Sequence, residues 1–248
     1  MVIISDQIEQ QTDEWQRRRA GRITASRVKA VLTAPRSKAD EEAGKLSKSA
    51  EDYLWRLLYQ RITGISGDSI PPTKAMRWGI EWEDTARRVY EEITGNDVKQ
   101  VGFIERDELS VGCSPDGLVG DVGGLEIKCP FGDYEHMKTL HEQKVPTQYV
   151  AQVQFSLWVS NRDWWDFVSY DPRIEQVEFA FVRFRVTRDE ELIQTIERKC
   201  KRLLDELEQR HEALERLGLT KFDSESHQVA HLCTEPIELI HKGEVITI

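Results

Sequence analysis

Between Val98 and Cys129 the sequence leaves helical spacing and breaks into four short β-rich runs: Val98–Glu105, Leu109–Cys113, Leu118–Gly120 and Leu125–Cys129. Gly, Asp and Pro separate them, as strand boundaries require. On either side the apolar residues return to helical periodicity. Tyr53, Leu54, Leu57, Leu58 and Ile62 form one stripe ending at Gly64; Met76, Ile80, Ala86, Val89, Tyr90 and Ile93 form another closed by Gly95. Helices are expected again at residues 134–141 and 147–160, strands at 164–170 and 177–186, and a long charged helix from Arg188 to about Leu217. This order predicts a mixed α/β fold in which a central mixed β-sheet is flanked by helices, in one domain over residues 1–218. Trp15 to Leu32 reads as two helices with a turn at Gly21, the second capped near Thr24 or Ser26. Residues 36–48 read as a loop, and Ser49-Ala50-Glu51-Asp52 as a capping box. After Gly218 the texture changes: two β-rich halves around Lys242-Gly243 suggest a β-hairpin within a C-terminal extension, 219–248.

The chain has 34 basic against 44 acidic residues, a net charge of −10 that argues at first against a polyanionic partner. The distribution reverses that locally. Eight basic residues and no acid lie between Trp15 and Lys38, so an acidic body carries one basic strip. Such a strip can confine a phosphate backbone to one face while the rest repels it; the plainer reading is a solvated basic helix. No apolar run approaches the ~18 residues that span a bilayer, and the opening lacks a secretory pattern, so a cytoplasmic protein with no membrane partner is expected. Cys113, Cys129, Cys200 and Cys233 form no CxxC pair and read as small thiols in a reducing compartment.

The chemistry gathers at SPDGLVGDVGGLEIKCP, residues 114–130. A hairpin with Gly120 facing Gly124 across Asp121–Gly123 would pair Leu118 with Glu126 and Asp116 with Lys128. Side chains alternate along strands, so Asp116, Glu126 and Lys128 would share one face and Ile127 would point to the other, into the core. Leu118 sits awkwardly among these charges in that register. Ser-Pro-Asp-Gly is also what a plain type I turn prefers, and Glu with Lys two residues on can be a salt-bridged strand face. Together, two acids and a base suit phosphodiester hydrolysis. Two carboxylates hold Mg²⁺, a hard cation that retains water and polarises the scissile phosphate. A lysine beside a dication and partly desolvated is expected to have a lowered pKa, fitting it to ready the attacking water. A third acid is expected among Glu81, Glu83 and Asp84, between which composition does not choose.

At these residues the chain resembles the phage lambda-type exonuclease family (YqaJ-like viral recombinases) within the PD-(D/E)xK nuclease superfamily. Ser114-Pro115-Asp116-Gly117-Leu118 and Leu125-Glu126-Ile127-Lys128-Cys129-Pro130 match the superfamily motif, and GRITAS (21–26), WGIEWED (78–84), AQVQFSLWV (151–159) and YDPR (170–173) resemble family segments in the same order. The resemblance implies a restriction-endonuclease-like core. It implies metal ligation by Asp116, Glu126 and the Ile127 carbonyl, with Lys128 serving the water, Glu83 as the third acid and Gln152 near the site. Asp107 matches a further acid, with spacing to Asp116 one residue short. Arg19, Ser26 and Ser114 fall on positions that hold a 5′-phosphate; Ser26 reads equally well as a helix cap. The implied activity is Mg²⁺-dependent (Mn²⁺ as substitute) 5′-to-3′ degradation of one strand of linear double-stranded DNA, by a ring-shaped homotrimer. It leaves a 3′ single strand for a single-strand annealing protein. The alternatives are an endonuclease of restriction or repair type on the same core, and a protein that binds DNA ends without cutting.

Overall fold

The computed structural model describes residues 1–65, 72–106, 108–218, 238–241 and 244–247. The chain opens with strand β1 (Val2–Ser5), helix α1 (Asp13–Arg19), the two-residue strand β2 (Ile23–Thr24), a 3-10 turn (Ala25–Arg27) and helix α2 (Val28–Leu32). Three more helices follow, α3 (Lys38–Glu42), α4 (Lys48–Thr63) and α5 (Lys74–Thr94). Then come strands β3 (Val98–Lys99), β4 (Phe103–Arg106), β5 (Val111–Cys113), β6 (Gly117–Val119) and β7 (Gly123–Lys128). Helices α6 (Glu135–Glu142) and α7 (Thr147–Ser160) lead to β8 (Trp164–Tyr170), α8 (Val177–Ala180), β9 (Phe181–Thr187) and the long α9 (Glu190–Arg216). Strands β10 (Glu238–His241) and β11 (Glu244–Thr247) pair antiparallel; Lys242 and Gly243 lie outside the described residues.

The mixed α/β architecture is present, with strands β1–β9 divided between two sheets. One has the order β3-β6-β7-β8-β9, parallel only between β7 and β8; the other has the order β1-β4-β5-β2, parallel only between β5 and β2. The expected run Val98–Glu105 breaks at Gly102, whose backbone lies so close to the Ile8 carbonyl that no side chain fits, and its halves join different sheets. Thr24, one of the two expected cap positions, opens a 3-10 turn over Ala25–Arg27 before α2 begins at Val28. Gly21 turns the chain at φ +71°, and the fully buried Ile23 is drawn into a ladder beside Val111. Residues 177–180 of the last expected strand form α8 instead. Within the expected loop, Ser37 caps α3, and the cap of α4 is Ser47 rather than Ser49. Gly64 and Gly95 end α4 and α5 with left-handed φ of +68°, where a Cβ would be strained.

Helix α7 explains how two sheets share one core. Its residues 153–160 are all buried, and it packs against β4 and β5 of one sheet and β8 of the other. Its polar residues Gln154 and Ser160 are satisfied internally, by the Thr187 carbonyl, the Asp189 N–H and the Ser156 carbonyl, so no face need be given to water. Phe155 and Trp158 meet Leu118, Trp165 and Phe167 on that side of the five-stranded sheet, while Ala86 and Tyr90 of α5 cover Val119, Leu125, Ile127 and Val168 on the other. Helix α9 lays Ile193, Ile196, Cys200, Leu203 and Leu207 against α2, α4 and α7. Among the described residues no helix is long and apolar enough to cross a membrane.

Candidate active site

The hairpin β6–β7 carries the corner. Its observed register is Val119↔Gly123, Leu118↔Gly124 and Gly117↔Leu125, closing over Gly120–Val122, two positions away from the register expected from sequence. The reason lies in β8: Trp164 and Trp165 lie so close over Gly123 and Gly124 that a Cβ at either would collide. Those glycines therefore serve the ladder instead of the turn. A shift of two preserves facing. Asp116, in a bend just before β6, donates its N–H to the Leu125 carbonyl at 3.2 Å and accepts from the Ile127 N–H, where the expected register paired it with Lys128, and Leu118 enters the core at 3% exposure. Ile127 points into the core below α5, as expected.

Glu126 is 3% exposed, and its Oε1 accepts from both the Lys128 ammonium and the Gln152 amide of α7, at 2.5 Å each. The Lys128 ammonium also lies over the Tyr149 ring, 5.4 Å from its centroid. The Ile127 N–H donates to Asp116 Oδ2 at 2.5 Å, and Gln10 donates to the Pro115 carbonyl at 2.9 Å, steadying the turn from the other side. Of the three candidate acids on α5, Glu83 borders the site; Glu81 is exposed, and Asp84 pairs with Arg87 and Arg88. Buried Arg87, one turn after Glu83, pairs with it at 2.8 Å and donates Nε–H to the Asp116 carbonyl at 3.0 Å. That residue was legible as an i,i+4 partner; its reach to Asp116 was not. Asp107 lies outside the described residues.

The electrostatics follow from the crowding. Burial, then Glu126 and Glu83, push the Asp116 carboxyl well above the usual aspartate range. Burial likewise raises Glu83, against the pull of Arg87. For Lys128 burial disfavours the charge, but Glu126 and Asp116 outweigh it and hold the ammonium above the ordinary lysine range. The expected lowering is thus reversed: the two carboxylates, which sequence reasoning treated as partners of a cation, act directly on the amine.

Three acids repelling one another in a half-buried corner is an arrangement that a cation relieves. Among the described residues no group of three or more His, Cys, Asp or Glu side chains is arranged to hold a metal. Asp116 and Glu126, with Glu83 at the edge, are the hard oxygen donors gathered there. Hard oxygen donors in that number suit Mg²⁺, which keeps several waters. A cavity of about 720 Å³, bordered by Glu83, Asp116, Lys128, Tyr149 and Phe131, opens onto the corner, and a second of about 470 Å³ reaches Glu83, Arg87 and Asp116 from the side of residues 6–11.

The basic strip divides in two. Arg18 and Arg22 pair with the buried Glu105 of β4, so they are structural cations and not the solvated charges or backbone contacts expected. Arg19 turns the other way: its Nη1 donates to Ser114 Oγ at 3.1 Å, beside the Trp15 indole, which donates to the same oxygen at 2.9 Å. The Arg19 guanidinium stacks 4.1 Å above the Trp15 ring. Ser26 is exposed in the 3-10 turn, two residues past Thr24, just as Ser114 stands two residues past the Gly112 that Thr24 pairs with. The parallel ladder thus brings both serines to one end of the sheet. Thr24, not Ser26, occupies the cap position of that turn.

Fold and site together define a class: a restriction-endonuclease-like α/β core bearing an Asp, a Glu and a Lys at the mouth of a central hairpin. Residues 14–163, more than half the chain, match the model of the YqaJ-like viral recombinase domain, and the chain belongs to that family. Among solved structures it is similar to the alkaline exonuclease LHK-Exo from Laribacter hongkongensis, at 37% identity and a TM-score of 0.72, covering 84% of this chain and 98% of that one. A phage related exonuclease from Haemophilus somnus 129PT shares the fold at 19% identity and a TM-score of 0.64, over 78% of this chain and 96% of that one. The putative uncharacterized protein ExoD of Escherichia coli (strain K12) is 29% identical over 76 residues, 31% of this chain and 82% of that protein.

Proposed function

We propose that this chain is a metal-dependent deoxyribonuclease acting as a 5′-to-3′ exonuclease on linear duplex DNA, leaving a 3′ single strand for a single-strand annealing protein. The observation that carries this reading is the corner itself: Asp116 held by the Ile127 N–H, and Lys128 and Gln152 both bonded to one oxygen of the adjacent Glu126, with Asp116 and Lys128 bordering the cleft. Held by Asp116, Glu126 and the Ile127 carbonyl, Mg²⁺ (or Mn²⁺) would polarise the scissile phosphate and acidify a water. Gln152 and Lys128 both donate to Glu126 Oε1, which fixes the carboxylate that would help hold the cation. Lys128, kept charged, donates to the attacking water or to a phosphate oxygen and orients it in line. Glu83 accepts a proton or a water hydrogen bond at the cleft edge, held there by Arg87. Arg19, Ser114 and Ser26 receive the 5′-phosphate: a guanidinium suits a terminal phosphate dianion through paired N–H donors, and the hydroxyls complete its shell.

The nuclease unit in this reading is residues 1–218, with 219–248 appended. A ring-shaped trimer belongs to the same proposal, and light scattering should give about three times the 28.8 kDa chain mass; a monomer that still resects ends would remove the ring and leave the chemistry. The decisive assay follows linear duplex labelled at either end, with Mg²⁺ and with chelator. Loss of the 5′ label first, a retained 3′ label, an untouched closed circle and silence in chelator are expected. A cut circle would make it an endonuclease, and end binding without nucleotide release a non-cutting end-binding protein.

A further inference from the structure

The catalytic strand β7 runs into a loop, Cys129–Gly132, that forms one wall of the 720 Å³ cleft. Three successive carbonyls of that loop converge on one side chain. Arg173 donates Nη1–H to the Phe131 carbonyl at 3.2 Å and Nη2–H to the Gly132 and Pro130 carbonyls at 2.9 and 3.4 Å. The guanidinium is itself held by the buried Asp171, through Nε at 2.8 Å and Nη2 at 2.7 Å. It also stacks on Trp78, 5.3 Å from the ring centroid. At Gly132 the backbone lies against the Glu135 carboxylate. None of this is needed to hold Lys128, which the ladder to Ser169 of β8 already fixes.

What the clamp does fix is Phe131. Its ring meets Trp78 edge-on at 6.0 Å, yet 47% of the residue stays exposed, on the same cleft wall that leads to Asp116 and Lys128. An apolar ring held rigid and left bare beside a phosphate-cleaving corner has an obvious complement. The terminal base of a duplex has one face with no stacking neighbour, and base–aromatic stacking is both sizeable and indifferent to sequence. We propose that Phe131, locked by Arg173, is the stacking platform for the nucleobase of the nucleotide being removed. Arg173 is then a positioning residue that acts through Phe131. This rests on the exonuclease reading for the identity of the strand, but not for the contact itself.

Two readouts on the full-length protein separate those dependencies. With 2-aminopurine as the 5′-terminal base and chelator present, wild-type protein should quench the probe, and Phe131→Ala should lose most of the quench while Phe131→Tyr keeps it. In Mg²⁺, wild type should release an abasic 5′-terminal nucleotide about tenfold more slowly than a normal one. Phe131→Ala should be slow on normal DNA by a similar factor and show no further loss on the abasic end. Arg173→Lys cannot rebuild the fork and should behave as Phe131→Ala, with the double variant no worse than either. A purely structural role for the clamp would lower the melting temperature and slow normal and abasic ends alike. Unchanged quench in Phe131→Ala, or an abasic penalty that survives that substitution, overturns the proposal. If wild type releases no nucleotide, the exonuclease reading fails, and Phe131 is still decided by the quench.

Discussion

Asp116→Asn should make the metal-free protein more stable while destroying its activity. Asp116 accepts from the N–H of Ile127, the residue after Glu126, and feels the Glu126 charge, and neighbouring side chains across a strand pair lie about 4.5–5.5 Å apart at Cβ. Two unit charges about 5 Å apart repel by roughly 3 kcal/mol at an effective dielectric of about 20. The Lys128 ammonium offsets part of this for Asp116, and the cleft bordering Asp116 lets solvent screen more of it, leaving about 1–2 kcal/mol. Asparagine keeps an oxygen for the Ile127 N–H, so little is lost elsewhere. In a domain of this size that predicts a rise of roughly 2–8 °C in melting temperature. Because the Asp116 carboxyl is raised by burial, Glu126 and Glu83, its ionised form destabilises the fold. The penalty is absent below the ordinary aspartate pKa of about 3.9, grows as pH rises, and is complete above the folded-state value. Melts in chelator from pH 5 to pH 8 should therefore show the gap between variant and wild type widening. Adding Mg²⁺ should raise the wild-type melting temperature and leave the variant almost unmoved. A variant that melts below wild type at pH 8 in chelator would refute the reasoning.

Arg19→Lys should slow initiation at 5′-phosphorylated ends by tenfold or more and at 5′-hydroxyl ends much less, since lysine lacks the fork that meets a phosphate; initial rates on the two substrates check it. Asp166, fully buried, accepts from Tyr90, Arg183 and Arg185. Asp166→Asn should cost about 3–5 kcal/mol at pH 7 in denaturant unfolding. Burial opposes that carboxylate's charge, but its bonds to Arg185 and Tyr90 and the Arg183 charge win and hold it below the usual range. Its contribution is thus complete above about pH 4 and lost as pH falls through the folded-state value, so the difference should shrink in acid. Gly21→Ala, at φ +71° with the Arg61 side chain already against it, should lower stability by about 1–3 kcal/mol.

Much of the corner was written in local sequence. The alternation Leu125-Glu126-Ile127-Lys128 gives facing without structure, and facing survives an even register error, so Asp116, Glu126 and Lys128 lie near one another although the hairpin register differs from the expected one. What sequence could not supply was the neighbour that decides the pairing, because Trp164 and Trp165 lie some forty residues beyond the glycines they cover. The same holds for charge. Nothing near Arg18 or Arg22 announces that Glu105 will claim both, and Lys128 acquires its raised pKa only from acids that the fold assembles. Gly64 and Gly95 were legible because a cap is a local event. Gly102 was not, because its constraint is the Ile8 backbone. Likewise the YDPR segment, noticed only as a likeness, gains a physical role from three carbonyls that meet it across the cleft wall.

A crystal soaked in Mn²⁺ and measured at the manganese absorption edge tests the core of this account most directly. The account predicts an anomalous peak bonded to Asp116, Glu126 and the Ile127 carbonyl, and its loss in Asp116→Asn. A corner without a peak at millimolar Mn²⁺, with Glu126 still bonded to Lys128 and Asp116 turned away, would contradict it.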